Sequence, residues 1–225
     1  MTESSNSPFL MVRATIEAEV AAPGIIAVSS ALDIDGKTGV AAGLIRSLAA
    51  AGYNTLAIDA GASTPHAISV DSAAALLAES ARPLAAGCDF VSIAPAQARS
   101  ASATAIAAFY ASIRERYDYA VIDAAVVTAG GLAFARNADG VVLALREGRA
   151  ANDADRDAVA LFARLNVRFL GVVATRDERK RGEEAQSLYD RLAPRAAVRP
   201  AGSVEEPVRG AAFGAKPAAA QRSAV

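Results

Sequence analysis

GIIAVSSALDIDGKTGVAAGL, residues 24–44, is the stretch on which the fold turns. Gly24 to Ser29 is a short apolar run with β-branched residues, the composition of a buried strand. Residues 31–38, Ala-Leu-Asp-Ile-Asp-Gly-Lys-Thr, end in Gly36-Lys37-Thr38, and after them Val40, Leu44, Ile45 and Leu48 recur at helical spacing. Strand, loop and helix in that order are what a phosphate-binding loop requires, because loop N–H groups and the helix N-terminus then converge on an anion. In such a site Lys37 reaches the terminal phosphates and the Thr38 hydroxyl ligates Mg²⁺, with Asp35, Gly36 and Gly39 completing the residues around the phosphates. Ala31 stands where the usual pattern has glycine, which is tolerable if its φ stays negative. Asp33 and Asp35 bring negative charge near a polyphosphate.

Outward from the loop, short apolar runs alternate with alanine-rich helical stretches, the pattern of a parallel sheet wrapped by helices. The strand candidates are 24–29, 55–59, 90–94, 119–122, 140–145 and 169–174. The helix candidates are 37–51, 72–78, 104–116, 129–136, 153–165 and 183–192. The expected fold is α/β: a three-layer P-loop NTPase architecture with a mostly parallel sheet. Residues 1–209 read as one domain, with 1–8 loose, and 210–225 as a tail without apolar period.

Two candidate strands end in an acid, Asp59 and Asp123. In a parallel sheet both carboxylates lie on the edge that carries the phosphate loop, where one can hold a metal-bound water and the other orient or deprotonate a nucleophile. An Asp after a buried strand also serves as a simple cap; Lys37-Thr38 upstream favours the functional reading.

The bulk composition sets limits. The chain has 225 residues, 53% of them hydrophobic, a formal net charge of −1 and one cysteine. That balance argues against a broad nucleic-acid-binding surface. A lone Cys88 forms no internal disulfide and fits a reducing cytoplasm, where it reads as a packed small residue. No apolar run approaches the ~20 residues of a membrane span, so a membrane role requires a partner. His66 reads as a loop residue and Arg176-Asp-Glu-Arg-Lys-Arg181 as a charge run after the last strand.

The three motifs, in this order, resemble the MinD/ParA-type P-loop ATPases, and more closely the bacterial tyrosine kinases of capsule and exopolysaccharide synthesis. Those kinases read Ser-Ser-Ala-Leu-Pro-Gly-Glu-Gly-Lys-Thr at the loop; residues 29–38 here are Ser-Ser-Ala-Leu-Asp-Ile-Asp-Gly-Lys-Thr, so Ala31 is in keeping with that family. Leu32 stands where MinD/ParA ATPases carry a signature lysine. The second motif, Leu-Ile-Asp-Ala-Asp-Leu-Arg-Arg-Pro in the kinases, is Ala57-Ile-Asp-Ala-Gly-Ala-Ser-Thr-Pro65, with Gly61 for the second Asp and Ser63 for an Arg. The third, Tyr-Asp-Tyr-Val-Ile-Ile-Asp-Thr-Pro-Pro, is Tyr117-Asp-Tyr-Ala-Val-Ile-Asp-Ala-Ala-Val126, which keeps Asp123 and lacks the prolines. The likeness covers roughly residues 7–175.

The resemblance implies ATP and Mg²⁺ as cofactors, with Lys37, Asp59 and Asp123 catalytic and Thr38, Asp59 and Asp123 about the metal. It places the segment of Arg176 near the adenine base, although a solvated helix start explains that residue equally well. It implies a cytoplasmic homo-oligomer that reaches the membrane only through a partner, a membrane polysaccharide chain-length or export protein. The family's assembly motif, Glu-x-x-Arg-x-x-Arg, appears as Leu10-x-x-Arg13-x-x-Ile16, and its C-terminal tyrosine cluster is absent, the last tyrosine being Tyr189. Phosphotransfer would then go to a tyrosine on a partner chain. The losses at Gly61, Ser63 and Ala125 equally suit a non-catalytic, nucleotide-gated regulator or scaffold of an export complex, and a MinD/ParA-type ATPase is the third reading.

Overall fold

The computed structural model describes residues 9–32, 36–60, 67–94, 101–124, 131–147 and 153–175. Its strands are β1 (Gly24–Ser30), β2 (Thr55–Asp59), β3 (Arg82–Ala85), β4 (Cys88–Ser92), β5 (Tyr119–Asp123), β6 (Gly140–Arg146) and β7 (Phe169–Thr175). The helices are α1 (Phe9–Glu19), α2 (Lys37–Ala50), α3 (Val70–Ser80), α4 (Ala103–Arg114), α5 (Gly131–Ala135) and α6 (Asp153–Arg164). The strands form one sheet in the order β3-β4-β2-β5-β1-β6-β7, parallel except for β3, which returns antiparallel on β4. This is the expected α/β, three-layer, mostly parallel architecture.

The layers follow from the strand pleat. Alternate residues of a strand face opposite sides, and both sides of the central strands are apolar. Ile26, Val28, Ala57 and Val121 meet Val40, Leu44, Ile45 and Leu48 of α2 and Ile16 of α1. On the opposite face Ile58 and Ile122 pack with Leu77 of α3 and Ile106 and Phe109 of α4. Ala27, Val141 and Leu143 pack with Ala158 and Phe162 of α6. At the other edge of the sheet the Asp139 carboxylate accepts from Ile25 N (2.8 Å) and from Arg114 (2.9 Å), fixing the start of β1.

Helix α2 starts at the loop because Gly36 adopts a left-handed φ of 72° as its N-cap, and it stops where Gly52, at φ 93°, turns the chain towards β2. The third strand candidate is displaced: the strand runs 88–92 rather than 90–94, and Cys88 opens it. Asp89 explains the shift, since a charged residue breaks the apolar run but here accepts a hydrogen bond from the Tyr117 hydroxyl (2.9 Å). Two elements carry no expectation from sequence. β3 is short, mostly exposed and contains Pro83, which only an edge strand tolerates. Helix α1 is docked on α2: a Cβ at Gly43 would lie 2.2 Å from the Phe9 ring, and Arg13 donates to the Ser47 carbonyl (3.0 Å) while pairing with Glu17 (3.3 Å). Its signal was the spacing of Phe9, Val12 and Ile16.

Among the described residues no helix is long and apolar enough to cross a membrane. The candidate helix 183–192, the tail and the domain boundary at 209 lie outside the described residues. Leu44 is fully buried between α2 and the sheet. Leu44→Ala should lower unfolding stability by about 2–5 kcal/mol in a denaturant titration; a change near zero would contradict the packing of α2 on this face.

Candidate functional site

The site is assembled at the carboxyl edge of the three central strands. Val28 of β1 pairs with Asp123 of β5, and Asp123 with Asp59 of β2, so the two acids sit side by side in register. Ala57 and Val121, two residues earlier, face α2; by the period of two, Asp59 and Asp123 face it as well. The strand ends are tied together by Ala60 N donating to the Asp123 carbonyl (3.0 Å) and Ile93 N to the Asp59 carbonyl (2.7 Å). The backbone is thereby fixed and the carboxylates are directed at the first turn of α2.

The loop enters through Ser30, whose hydroxyl donates to the Leu32 carbonyl (2.7 Å), a polar turn that sequence reading passed over although a serine after a strand is its usual signal. Ala31 is not among the described residues with positive φ and packs, 6% exposed, beside Ala158 and Phe162, so the substitution for glycine introduces no strain. Gly36, Lys37, Thr38 and Gly39 form the start of α2 and are half-buried. Gly36, Lys37, Thr38, Asp59 and Asp123 thus lie together at one edge of the sheet. Asp33, Asp35, Gly61, Ser63, His66, Ala125 and Arg176 lie outside the described residues. Cys88 is buried and burial raises its thiol pKa, which suits a packing residue rather than a nucleophile.

Electrostatically the site centres on Asp123. The carboxyl is 4% exposed, and burial, reinforced by the neighbouring Asp59 charge, pushes its pKa up to about 7 against the opposing Thr38 hydrogen bond and the Lys37 charge. Its Oδ1 is buried without a hydrogen-bond partner. An orphaned carboxylate oxygen is costly, and here it stands next to a hydroxyl and a second carboxylate, an all-oxygen donor set suited to Mg²⁺. Among the described residues no group of three or more His, Cys, Asp or Glu side chains forms a metal cage. The all-oxygen donor set fits the ion, with Thr38 and Asp123 as holders and Asp59 beside them.

The raised pKa has a consequence for stability. Between the ordinary carboxyl value and about 7 the folded protein holds a proton at Asp123 that the unfolded chain releases, so this group makes stability fall as pH rises from about 4 to 7. Asp123→Asn should raise the melting temperature of the metal- and nucleotide-free protein at pH 8 and flatten that decline. An equal or lower melting temperature at pH 8 would contradict a buried, uncompensated carboxylate.

No family profile and no curated protein sequence matches the chain. Solved structures do. The crystal structure of the chimerical protein CapA2B2 superposes with a TM-score of 0.65 at 22% identity, over 76% of this chain and 86% of that one. The kinase domain of Escherichia coli tyrosine kinase ETK gives 0.59 at 16% identity, over 78% and 82%. Cobyrinic acid a,c-diamide synthase from Mycobacterium smegmatis, with bound ADP and magnesium, gives 0.56 at 17% identity, over 77% and 82%. Likeness at these identities is likeness of fold: the chain has the three-layer, mostly parallel α/β P-loop NTPase fold.

Proposed function

We propose that the chain binds Mg·ATP at this edge and, as a kinase-like protein, passes the γ-phosphate to a tyrosine hydroxyl on a partner chain in exopolysaccharide synthesis. The observation that carries the reading is the buried Asp123 carboxylate, with an unpartnered oxygen, bonded to Thr38 and flanked by Lys37 and Asp59. Backbone N–H groups at Gly36 to Gly39 face the phosphates at the positive end of α2, and Lys37 adds a point charge there. Bound Mg²⁺ supplies charge neutralisation on the phosphates. In this reading Asp59, which pairs in register with Asp123, would accept the proton of the incoming hydroxyl.

The tyrosines among the described residues are consistent with an acceptor in another chain. Tyr110, Tyr117 and Tyr119 are buried, and their hydroxyls donate to the Phe134 carbonyl (2.8 Å), Asp89 (2.9 Å) and the Val20 carbonyl (3.0 Å). Tyr53 is half-buried with its ring edge-to-face on Tyr119. The membrane polysaccharide partner and the cytoplasmic setting come from the motif resemblance alone. So does a homo-oligomer, and Arg13 of the partial assembly motif enters it already bonded within the chain to Ser47.

A second reading rests on Gly61 and Ser63, which remove an acid and an arginine from the second motif. In that case the protein binds nucleotide without transferring phosphate and acts as a regulator or scaffold of an export complex. The MinD/ParA-type alternative is weakened by Leu32 in place of the signature lysine.

Calorimetry with Mg·ATP tests the site. Affinity in the micromolar range, lost in Lys37→Ala, is expected, and no binding at millimolar ATP would overturn the proposal. Transfer of labelled γ-phosphate to a tyrosine-rich peptide, abolished in Asp59→Asn, separates the kinase reading from the regulator, for which ATP binds and no label moves.

A further inference from the structure

We propose that Thr175, the last residue of β7, is a positioning residue that holds the glycine of the phosphate loop in its binding conformation and so sets nucleotide affinity. The inference rests on the reading of the loop as a nucleoside-phosphate site. It starts from the burial of β7. This edge strand is otherwise exposed or half-buried, with Val172 50% and Phe169 38% exposed, yet its polar final residue is only 5% exposed.

Thr175 lies beside Gly36. A Cβ at Gly36 would lie 3.3 Å from Thr175 Oγ1 and 3.4 Å from both its Cβ and its Cγ2, so the branched head borders the side of Gly36 where a side chain would stand. Gly36 is the N-cap of α2 at φ 72°, ψ 26°, and its carbonyl accepts the first helical hydrogen bond, from Val40 N (3.2 Å). The peptide between Gly36 and Lys37 therefore fixes where the Lys37 N–H and side chain point. Glycine has more backbone freedom than any other residue. A loop hinged on it needs a wall if the phosphate donors are to be arranged before the ligand arrives.

Thr175 is built as such a wall. A β-branched side chain is stiff about χ1. Its backbone is pinned to the sheet: Thr175 pairs with Arg146 of β6, and its carbonyl accepts from Glu147 N (2.8 Å). β6 in turn pairs with β1, the strand that leads into the loop. The two ends of the device, the strand before the glycine and the side chain behind it, thus belong to one rigid ladder.

Calorimetry of Thr175→Ala and Thr175→Val against wild type, with Mg·ATP and Mg·ADP, tests the assignment. Thr175→Ala removes the wall and should weaken both nucleotides about tenfold, as the competent loop conformation falls to a tenth of its population. Thr175→Val keeps the branched head and should stay near wild type. The melting temperature of each nucleotide-free variant is measured alongside, and that of Thr175→Ala should stay close to wild type, since a loss through unfolding would lower it. Thr175→Ala binding as tightly as wild type overturns the proposal, as does an equal loss in Thr175→Val, which would assign the effect to the hydroxyl. A wild-type protein that binds neither nucleotide overturns the nucleotide reading itself, and this inference with it.

Discussion

The constraint on which the structure depends is the burial of β1, β2 and β5 on both faces. A strand covered on both sides can keep polar groups only at its ends, so Asp59, Asp123 and the serines after Val28 are confined to the carboxyl edge. The parallel register then sets the two acids side by side, and α2, which must return over the sheet to bury Val40, Leu44 and Leu48, delivers Lys37 and Thr38 to the same edge. The site is a by-product of the way the core is closed.

That arrangement leaves Asp123 in an unfavourable state in the protein alone. Burial and the Asp59 charge oppose its ionisation more than Thr38 and Lys37 favour it, and one oxygen has no donor. Groups held this way cluster at functional sites, because the environment that penalises them in the free protein rewards a ligand that compensates them. A dication brought in with phosphates would do so. Cys88 and Tyr110 show the contrast: both are buried and shifted upward, but Tyr110 has a carbonyl partner and Cys88 sits at the end of a packed strand away from the loop.

The fold was legible in the sequence to a large extent because its signals are local. The apolar runs at 24–29, 55–59 and 119–122, each followed by helical periodicity, state strand and helix directly. The misses are of another kind. Helix α1 is weakly marked in the sequence, since its apolar residues, though spaced for a helix, sit in a short stretch with exposed Met11, and what holds it is the notch at Gly43 on a different helix. β3 is stabilised by its pairing with β4 and by little of its own composition. The start of β4 was misplaced because the partner of Asp89, Tyr117, lies far along the chain.

The sequence by itself determined the phosphate loop, the order of the elements and the two acids that end β2 and β5, since strand–loop–helix chemistry is written in consecutive residues. Tertiary structure alone decided that Asp59 and Asp123 are adjacent, that Asp123 keeps an oxygen without a donor, and that Thr175 backs Gly36. Each of these depends on strand register and on which strand lies beside which. The order β2-β5-β1-β6-β7 sets Asp59 beside Asp123 and Ile26 beside Gly140, residues far apart in sequence, through strand pairing that no local pattern encodes.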